Sequence, residues 1–204
     1  MSNRGAIMAE VVRLAERVVL IVLAAMVIWR LIPVLSLHPH VLLLLASEVS
    51  AVVFLVFQRK GTWSSSFYTT FIAFAGTGAS LLVFPEGEML APDWVTAPFI
   101  WTGTAIALAA KLSLRRSFGL IPANRGVKSG GAYRFVRHPM YTGYVLNHIG
   151  FMLLYFSFWN VAIYMITWVL LYLRAIEEEK FLLQDPLYVD YAKSVKARIV
   201  PGLI

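Results

Sequence analysis

Cysteine is absent from the 204 residues. Disulfides, thiolate metal sites and cysteine nucleophiles are thereby excluded, while the compartment is left open. Charge is also scarce. Only 14% of residues are Asp, Glu, Lys or Arg, 59% are apolar, and mean hydropathy is +0.73; soluble domains carry about a quarter charged residues. This composition reads as one polytopic membrane domain over residues 1–204. No internal repeat or low-complexity linker divides it. The first apolar run lacks a small-residue cleavage site and is long enough to remain as a span, so no cleaved signal peptide is expected. The net charge is +7. In a soluble protein that excess would point to nucleic acid; here it encodes topology and meets anionic lipid, and no nucleic-acid partner is expected.

Six apolar segments are present. The first four cover 18–35, 41–57, 67–84 and 95–112, and the last two share 141–173 around "SFWN" at 157–160. The expected fold is an all-α, multi-pass transmembrane bundle of about six segments. Four spans lie in 1–112, and 113–204 holds a short helical hairpin at 141–173. Arms of about 16 residues would be about 24 Å long, short of the hydrocarbon thickness of about 30 Å. Trp159 and Asn160 suit a turn at the headgroup level. Every Lys and Arg except Arg30 falls in segments that share one side if both termini are cytoplasmic, and the "PEGEMLAPD" loop has no basic residue. The chain is therefore expected in a bacterial-type inner membrane or its equivalent, with both termini inside. The only long polar stretches, 113–140 and 174–204, then lie at the cytoplasmic face, where water-phase chemistry is expected.

Two polar clusters carry the chemical interest. In "NRGVKSGGAYRFVRHPMY" (124–141), Gly126, Gly130 and Gly131 permit a backbone that presents N–H groups to an anion or a ribose. Pro139 fits the first turn of a helix, which puts His138 at its start and Tyr141 just inside. The same stretch also reads as a loop leading the chain into lipid, with basic residues on the inside and Tyr at the interface. His138 lacks companions at metal-ligand spacing. In "RAIEEEKFLLQDPLYVDY" (174–191), a continuing helix would bring Arg174 and Glu178 to one face at i, i+4, in the less stabilising order. A solvated charged face is the plainer reading of that cluster. The tail "VKARIVPGLI" combines basic residues with an apolar end that suits a membrane surface.

Other features have structural readings. Glu48, inside the second span, is an intramembrane carboxylate for which Arg30 is a plausible partner. Ala75, Gly76, Gly78 and Ala79, and then Gly103, Ala105, Ala107 and Ala109, suit close helix packing. His38 and His40 fall at the opposite membrane face from His148, which argues against a bis-histidine haem.

Taken in order, "SGGAYRFVRHPMYTGY", an apolar hairpin, "RAIEEEKFLL" and "YVDYAKSVKARIVPGL" resemble the isoprenylcysteine carboxyl methyltransferase family, whose superfamily includes phospholipid methyltransferases. The resemblance covers about the last 90 residues. It implies an S-adenosylmethionine (SAM) enzyme with a cofactor site at the cytoplasmic membrane face. Carried over, Tyr133, His138, Pro139, Met140 and Tyr141 fall on the cofactor loop, with Arg125, Val127 and Lys128 on the stretch before it. Glu178 falls on the carboxylate that contacts the cofactor, and Arg174 on the catalytic, substrate-binding arginine. The implied partner is a lipophilic or lipid-modified acceptor reached from the membrane. The Phe-Gly pair that the family often carries is replaced by "LLQDPLY" at 182–188. Methylation of a carboxylate is the expected reaction, because an ionised carboxylate needs no base, whereas an ammonium would. Lipid N-methylation on the same scaffold, or a non-catalytic relative, are the alternatives.

Overall fold

The computed structural model describes residues 3–36, 38, 42, 43, 46, 50, 53, 54, 57, 59, 61–63 and 66–202. The described residues between 42 and 54 are helical; Glu48, and with it the expected pairing to Arg30, lies outside the described residues. Six further helices follow from the apolar runs. They are α1 (Asn3–Leu31), α2 (Phe67–Gly78), α3 (Asp93–Leu114), α4 (Pro139–Leu154), α5 (Phe158–Leu182) and α6 (Pro186–Ser194). Helix is what an apolar chain must adopt in lipid, where backbone polar groups find partners only within the segment.

Boundaries follow local chemistry. Ser66 caps α2 by accepting from the Thr69 amide, and Ser157 caps α5 by accepting from the Asn160 amide at 3.1 Å. Such caps satisfy amides that the first helical turn leaves without partners. Pro139 and Pro186 occupy the first positions of α4 and α6, where a missing N–H costs nothing.

Among the described residues, three stretches are long and apolar enough to cross a membrane: Leu14–Val34, Asp93–Ser117 and Phe158–Leu182. Phe67–Leu82 and α4 are apolar but shorter. The helical hairpin is unequal. Its first arm has 16 residues and its second 25, because nothing breaks the helix between Leu173 and Asp185, and Glu177, Glu178 and Glu179 stay helical.

The small residues do allow close packing. A Cβ on Gly103 of α3 would run into the Gly143 backbone and the Asn147 amide, and one on Gly143 of α4 would meet Gly103 and Ala107. Ala107 and Ala110 are fully buried in this contact region. Arg30 donates to the carbonyls of Leu81 and Val83 and lies 5.1 Å over the Phe84 ring.

The polar segments separate to two ends. At one, the loop after α2 meets the hairpin turn, where Glu88 and Phe156 exchange two backbone hydrogen bonds of 2.9 Å. Gly87 permits that approach with φ 141°, because a Cβ there would strike the Phe156 carbonyl. At the other end, β1 (Thr62–Trp63) pairs antiparallel with β2 (Ala123–Asn124) beside the last turns of α5.

Candidate active site

The chain between α3 and α4 is held by buried polar groups. Glu16 of α1, 1% exposed, accepts from the amides of Leu120 and Ile121. Ser117 Oγ donates to the Arg125 carbonyl at 2.9 Å, and the Gly126 amide donates to Asn124 Oδ1 at 3.0 Å. Gly126 and Gly131 adopt φ of 93° and 62°, a region that favours glycine. Together these fold the loop back over the start of α4.

The folded loop encloses a cavity of about 90 Å³. Arg125, Val127, Lys128 and Tyr133 line it from the loop, His138, Met140 and Tyr141 from the start of α4, and Glu178 from α5. The residues expected at a cofactor site are therefore brought together, with one exception. Pro139 is buried and sets the start of α4 between two lining residues.

Three carboxylates in a row have three different surroundings. Glu177 pairs with Lys180 near the surface at 2.6 Å. Glu178 lines the cavity and accepts from the Tyr141 hydroxyl at 3.3 Å. Glu179, 4% exposed, meets His138 Nε2 at 3.0 Å, Arg198 Nε at 3.1 Å and Arg137 Nε at 3.3 Å. The His138 ring also stacks on Tyr141 with centroids 5.3 Å apart. Its imidazole is thus committed to Glu179 and to shaping the cavity wall.

The C-terminal tail lies against this cluster. The Arg137 amide donates to the Ala197 carbonyl at 2.9 Å and the His138 amide to the Arg198 carbonyl at 2.7 Å; Thr142 Oγ1 donates to the Ile199 carbonyl. The basic tail is a strap across the 137–142 segment.

Two tyrosines of α6 complete the cavity. Tyr191 donates to the Tyr133 carbonyl at 2.8 Å and so braces the loop. Tyr188 lines the cavity, and its hydroxyl is buried with no hydrogen-bond partner among the described residues. Burial, with the charges of Glu179 and Glu178 nearby, pushes the Tyr188 phenol well above its ordinary pKa. It is protonated at neutral pH, a donor lacking an acceptor. A buried unpaired donor is costly unless a ligand meets it.

Arg174 stands at the boundary of a second cavity. Nη1 donates to Thr77 Oγ1 at 3.0 Å, Nη2 to the Leu120 carbonyl at 2.8 Å, and the guanidinium lies 5.5 Å over the Tyr141 ring. Its Nε is buried and has no hydrogen-bond partner among the described residues. Its contacts are thus to Thr77, Leu120 and Tyr141 rather than to Glu178, one turn away on the same helix. The second cavity, about 180 Å³, runs between α1, α2, α4 and α5, with Leu23, Val27, Phe151 and Leu171 in its wall. Phe118, Met140, Tyr141 and Arg174 line both cavities. A polar compartment and an apolar one therefore meet across a single layer of side chains.

The sequence reading missed Glu179, Tyr188, Tyr191, Arg198 and Glu16. A signal existed for the two tyrosines. Asp-Pro at 185–186 is a helix start, and tyrosines at i and i+3 after it share a face. Asp185 does cap α6 through the Leu187 amide at 2.9 Å, and it also accepts from Asn124 Nδ2 at 2.7 Å. This turn closes 182–188 without the Phe-Gly pair.

Residues 101–184 match the model of the isoprenylcysteine carboxyl methyltransferase (ICMT) family. The match takes in most of α3, the loop, α4 and α5. No curated protein and no solved structure matches the chain. The resemblance read from the motifs is borne out over this stretch. With the three long apolar helices, it supports an integral membrane methyltransferase.

Proposed function

We propose, from the match of residues 101–184 to the isoprenylcysteine carboxyl methyltransferase family, that the chain is a single membrane methyltransferase domain that methylates the carboxylate of a lipophilic acceptor at the cytoplasmic face, using SAM. The observation that carries this reading is the shared wall of Phe118, Met140, Tyr141 and Arg174 between the polar and apolar cavities. A reaction between a water-soluble donor and a lipid-like acceptor needs such a boundary.

The residues present fit the cofactor. SAM would supply an electrophilic methyl group on a sulfonium. Glu178 offers a carboxylate opposite that positive charge, and the unpaired Tyr188 hydroxyl and the loop N–H groups offer donors for an anionic group. Arg125, Lys128, Tyr133 and His138 complete the wall. Arg174, with Nη1 and Nη2 anchored on protein oxygens, has Nε left for an acceptor carboxylate. Holding that carboxylate fixes its approach to the methyl group, and Phe118 and Met140 exclude water from the line between them.

The acceptor carboxylate arrives ionised, so no base is required. His138 at the site is bonded to Glu179, which favours carboxylate methylation over methylation of an amine. Both termini and the 113–140 loop are assigned to the cytoplasm in this reading, with six crossings. The test is purified protein with labelled SAM and a panel of prenylcysteine analogues, fatty acids and phospholipids. Methyl esters among the products support the reading; label on a lipid amine replaces it with N-methylation, and absence of SAM binding at millimolar concentration removes both.

A further inference from the structure

The larger cavity is not apolar throughout. Away from the shared wall, α4 and α5 contribute Asn147, His148 and Tyr164 to its lining. His148 Nδ1 is hydrogen-bonded to Trp168 Nε1–H at 3.1 Å, and the imidazole stacks on Tyr164 with ring centroids 4.3 Å apart. An indole N–H only donates. Nδ1 therefore carries the lone pair, and the ring proton sits on Nε2. The bond and the stack hold the ring in one orientation, so Nε2–H is a fixed donor. Asn147 adds a second. Its Oδ1 accepts from Thr104 at 3.4 Å, which leaves its NH₂ group to donate. Donors in a cavity that also presents Leu23, Val27 and Leu171 are costly beside pure hydrocarbon.

The position of this donor group along the cavity is given by two helices. His148 is seven residues beyond Tyr141 on α4, about 10 Å along the axis at 1.5 Å per residue. Trp168, its partner, is six residues before Arg174 on α5, about 9 Å. Both place the donors about 10 Å from the shared wall.

We propose that the acceptor carries a hydrogen-bond-accepting oxygen about 10 Å from the carboxylate that is methylated, and that His148 Nε2–H, with Asn147, recognises it. This rests on the carboxyl-methylation reading above. An extended chain advances about 3.5 Å per three backbone bonds, so the oxygen lies about nine bonds from the carboxyl carbon. An acyl ester, an amide or a chain hydroxyl supplies such an oxygen; a plain alkyl or isoprenoid tail does not. The acceptor class is an oxygenated, chain-bearing carboxylic acid.

The test uses two acids of equal chain length, one wholly hydrocarbon and one with an amide carbonyl nine bonds from the carboxyl carbon. Binding of each to the full-length protein saturated with S-adenosylhomocysteine is measured by calorimetry in one detergent. The amide acid binds about tenfold tighter to the wild type. His148→Phe, checked for folding by its affinity for S-adenosylhomocysteine, brings the two acids within about twofold. His148→Gln, which keeps a donor and an acceptor for Trp168, retains most of the preference. Equal affinity of the two acids for the wild type, or a preference that survives His148→Phe, overturns the assignment. Methylation of the acids is followed separately. A binding preference with no methyl ester formed removes carboxyl methylation and leaves the cavity's selectivity standing; equal binding with both esters formed does the reverse.

Discussion

Glu178 and Glu179 are neighbours in the chain with separate tasks. Glu178 faces the polar cavity and accepts from the Tyr141 hydroxyl, while Glu179 is buried among His138, Arg137 and Arg198. A helix turns about 100° per residue, so adjacent side chains leave it in different directions. One carboxylate lines the cavity and the other is committed to the framework.

Exchanging the two for neutral residues should separate these roles. Glu178→Gln is expected to weaken SAM binding by roughly 10- to 150-fold, the worth of an interaction with a charged group of about 1.5–3 kcal/mol, with little change in melting temperature. Glu179→Ala leaves three cationic or polar partners without their carboxylate. It should destabilise the fold by about 3 kcal/mol, as breaking a buried pair does. Thermal unfolding and calorimetry on both variants check this; similar thermal losses in the two would contradict it.

Tyr188→Phe offers a sharper contrast. The hydroxyl has no partner among the described residues, so its removal should leave the ligand-free protein as stable or slightly more so. Affinity for S-adenosylhomocysteine should fall about 5- to 10-fold, the value of one neutral hydrogen bond of about 1 kcal/mol. A destabilised variant with full affinity would mean that the hydroxyl serves the fold.

Arg174→Lys keeps the charge and loses the planar fork. Cofactor affinity should remain within about threefold, and turnover at saturating SAM should drop by at least tenfold, because the acceptor is no longer aligned. The readouts are methylation rate and binding constant on the same preparation. A loss confined to cofactor affinity would assign Arg174 to the cofactor instead.

Much of this site was legible because its signals are local. His138-Pro139 marks a helix start whatever surrounds it, and Arg174 with Glu178 needs only that α5 continue. Glu179 was not distinguishable from Glu178, because their difference lies in what packs against each face, namely the 137–138 segment and a tail about 20 residues away. Tyr188 and Tyr191 had a local signal in the Asp185-Pro186 helix start, but what their shared face meets needed the fold. The second hairpin arm was drawn too short because three carboxylates resemble the end of a membrane helix; α5 carries them onward as helix into the polar end. The glycines of α2 and α3 were identified as packing residues, but the pairing of Gly103 with Gly143 of α4 needed the fold.

That pairing gives a stability prediction. Gly143→Leu inserts a side chain where the backbone of α3 already sits. Overpacking costs about 1–3 kcal/mol in well-filled interiors, and here no flexible neighbour can yield, so the melting temperature should fall and the folded yield with it. Gly78→Leu, at a position with open space around its Cβ, is the matched control and should change neither.

The cysteine-free chain makes topology directly testable. Single cysteines at Glu88 and at Arg125 lie at opposite ends of the bundle. Labelling of intact cells with a membrane-impermeant reagent should reach position 88 and spare position 125. The opposite pattern would invert the orientation, and labelling of both would refute the separation of the two ends.

The strap formed by Ala197, Arg198 and Ile199 also has a bearing on biosynthesis. In chain order these residues follow every other part of the site they fasten. A chain shortened before Arg198 would keep α3, α4 and α5 and leave the 137–142 segment unclasped, so the order of synthesis puts the fastening of the loop last.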